Sequence, residues 1–102
     1  MVKKVLIYWR DIPSQVIVQR GRKREKVMLA ARFQEAIDRA AMRAGKGSSD
    51  AYLEEWRRET SAVESDMELR EMAEQEAARL ESEFSDEQLL QLIRGHGTLS
   101  EQ

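Results

Sequence analysis

Two short apolar runs near the start of the chain predict a β-hairpin. Residues 5–9 and 16–18 are β-branched or aromatic at most positions, a composition that favours strands. Asp11 and Pro13 between them favour a turn and interrupt a strand, so we expect a loop of five or six residues within Arg10 to Gln15. Both runs are apolar at consecutive positions. This pattern indicates a sheet that is covered on two faces or extended by a partner or a second protomer.

Helical spacing of apolar residues runs through the rest of the chain. One amphipathic helix is predicted from about Lys23 to Ala44, with Gly45 after its end. Between Asp50 and Phe84 the pattern predicts either one helix of about 35 residues or two helices with a bend near residues 61–66, and we favour the bend. Ser85 and Gln88 then form a capping-box pattern before a short apolar helix.

These elements predict a single α+β domain. The N-terminal antiparallel β-hairpin is followed by three or four helices, within a chain of 102 residues, which is the usual size of one domain. We expect the domain to span residues 1–94 and a flexible C-terminal tail to span residues 95–102, where periodicity ends. The hairpin is too small to stand alone, so helices or a second protomer must cover it.

Composition removes several classes of chemistry. The chain has no cysteine and one histidine, His96, so disulfides, thiolate nucleophiles and cysteine-based metal sites are excluded. We find no nucleophile with a base, no metal-ligand set and no phosphate-binding glycine motif. We therefore favour a protein that is not an enzyme, and we predict no cofactor. The apolar run at residues 5–9 is too short for a signal peptide or a membrane span. We expect a cytoplasmic protein.

Charge is distributed unevenly along the chain. Residues 1–47 contain 12 Lys and Arg against 4 Asp and Glu, a net charge of +8, whereas residues 48–102 contain 5 against 15, a net charge of −10. Such a division can serve contacts within the chain, self-association or recognition of an anionic partner by the basic part.

The densest basic segment lies between the second predicted strand and the first predicted helix. A basic loop with a glycine at a helix N-terminus could hold a phosphate or a carboxylate, although the same residues could simply pair with the acidic half or be solvated. The candidate residues for anion or partner binding are Arg10, Arg20, Arg22, Lys23, Arg24 and Lys26.

Four of the six aromatic residues form a second candidate group. Tyr8 and Trp9 lie in the first strand, and Tyr52 and Trp56 are one helical turn apart. They could form one cluster, and we favour a role in the core because large aromatic side chains dominate burial in a small domain. An exposed tryptophan among them would instead be an anchor for a partner.

Three stretches carry a resemblance to a known family: residues 7–18 (IYWRDIPSQVIV), Arg32-Phe33 through residues 36–43 (AIDRAAMR), and residues 50–53 (DAYL) with 56–58 (WRR). They resemble a family of short bacterial proteins labelled virulence factor, which is frequent in alphaproteobacteria. The family's genes often lie near those for corrinoid-dependent methyltransferases and folate one-carbon enzymes. The resemblance therefore implies an accessory protein in methyl-group metabolism, and it implies no catalytic residues.

Three functional hypotheses remain open. The favoured one is a non-enzymatic accessory protein that docks an acidic protein surface, a second copy of itself, or a methyltransferase or other one-carbon enzyme. The alternative is a binder of a phosphate, nucleotide or folate-like anion, or an enzyme subunit, that uses the basic segment. Nucleic-acid binding ranks third, because the acidic second half of the chain would repel a phosphate backbone.

Overall fold

The structure is a computed structural model that describes residues 1–46 and 48–98. The described residues form one four-stranded antiparallel sheet and four helices. The strands are β1 (Val2–Trp9), β2 (Ile12–Arg20), β3 (Lys23–Met28) and β4 (Trp56–Val63). The helices are α1 (Ala31–Arg43), α2 (Ser49–Glu54), α3 (Leu69–Glu83) and α4 (Asp86–Arg94). The predicted α+β class is confirmed.

The strand order in the sheet is β3-β2-β1-β4. The predicted β1–β2 hairpin forms, but its predicted loop of five or six residues is wrong, because Trp9 pairs with Ile12 and only Arg10 and Asp11 make the turn. Arg10 permits this tight turn by adopting a positive φ of 54°. Pro13 lies inside β2 next to an irregularity in the pairing, where a residue without an N–H is tolerated.

Two predicted helical segments are strands instead. Lys23–Met28 is β3, so the helix predicted from Lys23 begins only at Ala31. Trp56–Val63 is β4, which separates α2 from α3, so both the single long helix and the bent pair are wrong. Both segments gain backbone hydrogen bonds by pairing with the hairpin, β3 with β2 and β4 with β1. The chain therefore supplies the strands that extend its own hairpin.

The helices pack together over the sheet. α3 lies against β2 and β3, while α1 contacts β2 and α4. The core between them includes Trp9, Phe33 and Ile37, each with no exposed surface. The predicted capping box of α4 is confirmed, since Ser85 and Gln88 exchange both hydrogen bonds. None of the described helices is long and apolar enough to cross a membrane.

The segment after α4 was expected to begin the flexible tail. The carbonyl of Gly97 accepts a hydrogen bond from the backbone N–H of Asp11 at 2.8 Å, and Gly97 is buried. Gly97 has a φ of 92°, and a Cβ at this position would lie 2.8 Å from the Trp9 ring. Both features require glycine there. Residues 99–102 lie outside the described residues.

Candidate binding surface

The two faces of the sheet have different surroundings. Lys4 forms an ion pair with Glu76 of α3 at 3.4 Å, and Glu25 forms one with Arg70 of α3 at the same distance. Because side chains alternate along a strand and register partners share a face, these contacts identify the face beneath α3. We call it the covered face.

On the side opposite α3, the register places Trp9, Ile12 and Trp56 at one end, where Tyr52 of α2 packs on both tryptophans. Beyond that end, this side has no helix packed along it in the described part of the chain, and we call the uncovered part the open face. Its members follow from the register of the four strands. They are Lys3, Val5 and Ile7 of β1; Gln15, Ile17 and Gln19 of β2; Arg24, Lys26 and Met28 of β3; and Arg58, Thr60 and Ala62 of β4.

The open face has an aliphatic centre and a basic periphery. Val5 and Ile17 are largely shielded, although neither belongs to the core cluster beneath the helices. Met28 is 53% exposed beside them. The charged members are the cations Lys3, Arg24, Lys26 and Arg58, and the face contains no carboxylate. An apolar centre with a charged rim is the usual layout of a protein interface.

The four cations of the open face are not neutralised by any residue that the structure describes. Lys3, Arg24, Lys26 and Arg58 have no ion pair and no side-chain hydrogen bond to any described residue. The covered face differs, since Lys4 is paired there with Glu76. Clustered and uncompensated cations create a positive potential that attracts an anionic partner.

Two shallow depressions mark the open face. One of about 290 Å³ lies between Ile7, Gln15, Trp56 and Arg58. The other, of about 440 Å³, lies near Lys3 and Thr60 at the opposite end of the strands. Both are open to solvent, so they suit side chains of a docked partner better than an enclosed small ligand.

Only part of the predicted basic segment contributes to this surface. Arg24 and Lys26 belong to the open face, Arg22 is in the β2–β3 turn, and Lys23 is exposed on the strand after it. The expected helix N-terminus is absent because β3 follows this turn. The prediction of an anion site formed by the backbone N–H groups of a helix is therefore wrong.

Arg10 and Arg20 flank β2 at opposite ends, so they do not converge. At about 3.3 Å per residue, this strand separates them by roughly 30 Å. A single small anion cannot contact both. Each arginine has structural partners instead.

Arg10 holds the β1–β2 turn against neighbouring elements. Its guanidinium forms an ion pair with Glu55 at 3.1 Å and donates to the carbonyl of His96 at 2.8 Å. It also lies over the ring of Trp9. The hydrogen bond from Arg10 lowers the pKa of the Glu55 carboxyl, against the opposing effect of desolvation. These contacts stabilise the left-handed backbone of Arg10.

Arg20 fixes the connection between β4 and α3. Its guanidinium donates to the carbonyls of Ser65 and Met67, each at 2.9 Å. Both carbonyls would otherwise need water or another donor. Arg20 is thus committed to the fold.

The aromatic group divides into a cluster of three and one separate ring. Trp9 stacks on Tyr52 with ring centroids 5.9 Å apart, and Tyr52 meets the edge of Trp56. The Trp9 indole also donates to the Tyr52 carbonyl at 2.9 Å. Tyr8 lies instead beneath the guanidinium of Arg57, and burial raises the pKa of its hydroxyl. Trp9 is fully buried and offers no surface to a ligand.

The covered face leaves a cleft beside α3. Its volume is about 750 Å³, and its walls include Val18, Val63 and Met72. Lys4 and Arg79 both pair with Glu76 there. The hydrogen bond from Arg79 holds the pKa of the Glu76 carboxyl below its ordinary value, despite the desolvation that raises it.

Lys3 and Arg58 belong to the surface but were not among the candidate residues. The sequence predicts a helix at Arg58, and a helix gives no reason to place Arg58 on one face with Lys3 and Arg24. The signal that could have placed it is weak: β4 is exposed from Arg57 to Ala62, so hydrophobic alternation does not reveal the strand.

The fold and this surface define a small α+β protein that presents one uncovered, basic face of an antiparallel sheet. The family described as Virulence factor matches residues 7–93, and the chain belongs to that family. Its description states no biochemical activity. No curated protein and no solved structure matches the chain.

Proposed function

We propose that this chain is a non-enzymatic interaction protein whose open face docks an acidic surface of another protein. The observation that carries the proposal is the group of four cations, Lys3, Arg24, Lys26 and Arg58, which have no ion pair with the described residues. They surround an aliphatic centre, and the same face has no carboxylate. Complementary charge would accelerate association, while burial of the aliphatic centre would retain the partner.

A protein partner fits this face better than a single-stranded nucleic acid does. Nucleic-acid binding to a sheet relies on aromatic rings that stack on bases. Trp56 lies at the margin of the open face and lines one of its depressions, but its ring packs against Tyr52, and no other member of this face is aromatic. Aliphatic groups such as Val5, Ile7 and Met28 supply burial without base recognition.

A second copy docked face to face is disfavoured by charge. Such a dimer would bring two sets of the same four cations together with no carboxylate from either open face. Like charges opposed across an interface cost several kcal/mol in unfavourable cases. The partner we propose is therefore a different protein that supplies carboxylates.

The resemblance stated above supports a partner from methyl-group metabolism. A corrinoid-dependent methyltransferase or a folate one-carbon enzyme is the first protein to test. In that role the chain would be an accessory subunit that contributes no reacting group.

To test this proposal, the tagged protein is used to capture partners from nuclease-treated lysate of its host. The capture is made at low salt and at high salt. The variant Arg24→Glu/Lys26→Glu should lose the captured protein, and high salt should weaken the wild-type complex. Arg39→Glu/Arg43→Glu is the matched control, because it makes the same charge change at exposed positions of α1. Equal capture by wild type and both variants would contradict the proposal, as would a complex that forms only when the nuclease treatment is omitted.

A further inference from the structure

β4 leaves one backbone edge of the sheet free. It is the last strand in the order β3-β2-β1-β4 and pairs with β1 along its whole length. Its residues from Arg57 to Ala62 are all exposed. The edge opposite β1 is therefore open to another strand in the described structure.

The register identifies the backbone groups that point outward. The Arg10 N–H donates to the Glu55 carbonyl at 3.1 Å, directly beyond the Trp9↔Trp56 pair. Hydrogen-bonded pairs alternate along an antiparallel ladder, so Arg57, Glu59 and Ser61 are bonded to β1. The N–H and C=O groups of Arg58, Thr60 and Ala62 consequently face the free edge.

The two outer strands of the sheet differ in how well they are protected from pairing. β3 has four consecutive charged residues, Lys23 to Lys26, and charge is a common means of blocking an edge. β4 has no charge from Thr60 to Val63, no proline, and no shift in its register with β1. Its second half is a suitable template for an added strand.

The surroundings of β4 select the side chains of such a strand. On the open face, the added strand would lie beside Arg58, Thr60 and Ala62, of which only Arg58 is charged. On the covered face, α3 lies over β2 and β3, which leaves the cleft of about 750 Å³ lined by Val63, Met67 and Met72. Alternating side chains would therefore lie beside Arg58 on one side, and on the other beside a cleft whose walls combine these apolar residues with charged ones such as Glu76 and Arg79.

We propose that the partner adds an extended segment to β4 as a fifth strand, with acidic side chains on the open face and apolar side chains in the cleft. This inference rests on the proposed function and specifies its mode of binding. Backbone hydrogen bonds would supply affinity, and the alternating side chains would supply specificity. Carboxylates on the added strand favour a different protein over a second copy, because β4 itself brings Arg58 to the open face.

The direct test is amide hydrogen exchange of the isotopically labelled full chain with a synthetic ten-residue peptide that alternates aspartate and leucine. The amides of Arg58, Thr60 and Ala62 should slow about tenfold or more at saturating peptide, because they become hydrogen-bonded. Those of Arg57, Glu59 and Ser61 are already bonded to β1 and should change much less.

Two peptide variants test backbone pairing without altering the protein. N-methylation of alternate residues removes the N–H groups along one edge of the peptide only. One methylated set should abolish binding and the other should preserve it, since only one edge faces β4. Equal binding of both peptides would overturn the inference.

A protein variant gives an independent test. Thr60→Pro removes an outward N–H and spares the bonds to β1, and it should weaken peptide binding about tenfold or more. Thr60→Val is the control that keeps the N–H.

The outcomes separate this inference from the proposed function. Loss of partner capture in Arg24→Glu/Lys26→Glu, with no slowing of the three outward amides at millimolar peptide, would overturn strand addition and leave the docking face intact. Unchanged capture in that variant would contradict the docking face itself. Slowing of the same amides with protein concentration alone, together with a dimer in sedimentation, would overturn the inference in favour of a second copy.

Discussion

The covered and open faces of the sheet are built from the same four strands, yet their residues have different roles. Lys3 and Lys4 are adjacent in β1, but Lys4 pairs with Glu76 of α3 whereas Lys3 has no such partner in the described residues. Val16 and Ile17 are adjacent in β2, but only Val16 belongs to the core beneath the helices. One step along a strand thus separates residues that stabilise the fold from residues available for binding.

The largest expected effect lies in the core. Trp9→Ala should destabilise the protein by about 3–5 kcal/mol, because it empties a fully buried site and removes the stacking on Tyr52. Met28→Ala on the open face, where Met28 is 53% exposed, should cost less than about 0.5 kcal/mol. Urea denaturation measures both. A comparable loss in the two variants would mean that Met28 on the open face contributes as much to stability as a fully buried core residue.

A matched pair of valines sharpens the same comparison. Val16→Ala beneath the helices should cost about 2 kcal/mol, whereas Val5→Ala at the centre of the open face should cost about 1 kcal/mol. Val16 has no exposed surface and Val5 has 6%, so exposure alone barely separates them. The expected difference comes from the helices that pack on Val16. Equal unfolding free energies would show that the open face is packed as tightly as the core.

Arginines offer a third contrast. Arg20→Ala removes the donor to the Ser65 and Met67 carbonyls and should cost about 1–2 kcal/mol. Arg24→Ala, on the open face, should change the free energy of unfolding by less than about 0.5 kcal/mol. Thermal and urea denaturation of the two variants test this prediction. A neutral Arg20→Ala would mean that water replaces both hydrogen bonds without cost.

Acidification should weaken the covered face through Glu76. Its pKa is lowered in the folded protein from the ordinary value of 4.5, so the unfolded chain binds the proton more readily. The stabilisation is therefore complete above about pH 5 and is lost as the pH falls through the folded pKa. Glu76→Gln should be less stable than the wild type at pH 7. Between about pH 5 and about pH 3, the variant should lose less stability than the wild type does.

The control for this titration is Glu71→Gln, which makes the same charge change at an exposed position of α3. Urea denaturation across the pH range compares the three proteins. If Glu76→Gln declined with acid as steeply as the wild type, the ion pairs of Glu76 would not be the source of the pH dependence.

The same contrast between buried and exposed positions explains which elements could be predicted from the sequence. β1, β2 and α4 carry either dense apolar runs or a capping box, and those signals are local. β3 and β4 are outer strands whose residues are mostly exposed. Their pairing is a tertiary effect that overrides local preference.

The spacing of apolar residues explains why the sequence predicted a helix where the structure has β4. Leu53, Trp56, Thr60 and Val63 recur at intervals of three and four, which is the spacing of a helical face. In the structure, Trp56 begins β4 and Val63 ends it, while Leu53 is 63% exposed on α2. The open face could not be predicted as a unit because two of its four strands were assigned to helices. The charge division of the chain was nevertheless visible in the sequence.

The substitutions that should weaken partner binding most are expected to change stability least. Arg24→Glu/Lys26→Glu replaces two unpaired cations on a face that also holds Lys3 and Arg58, so it relieves repulsion between like charges. The unfolding free energy should stay within about 0.5 kcal/mol of the wild type, with any gain larger at low ionic strength because salt screens exposed charges. Urea denaturation at low and high salt measures this. A loss above about 1 kcal/mol would mean that these cations stabilise the fold, and reduced partner capture by the variant could then reflect unfolding instead of a lost docking face.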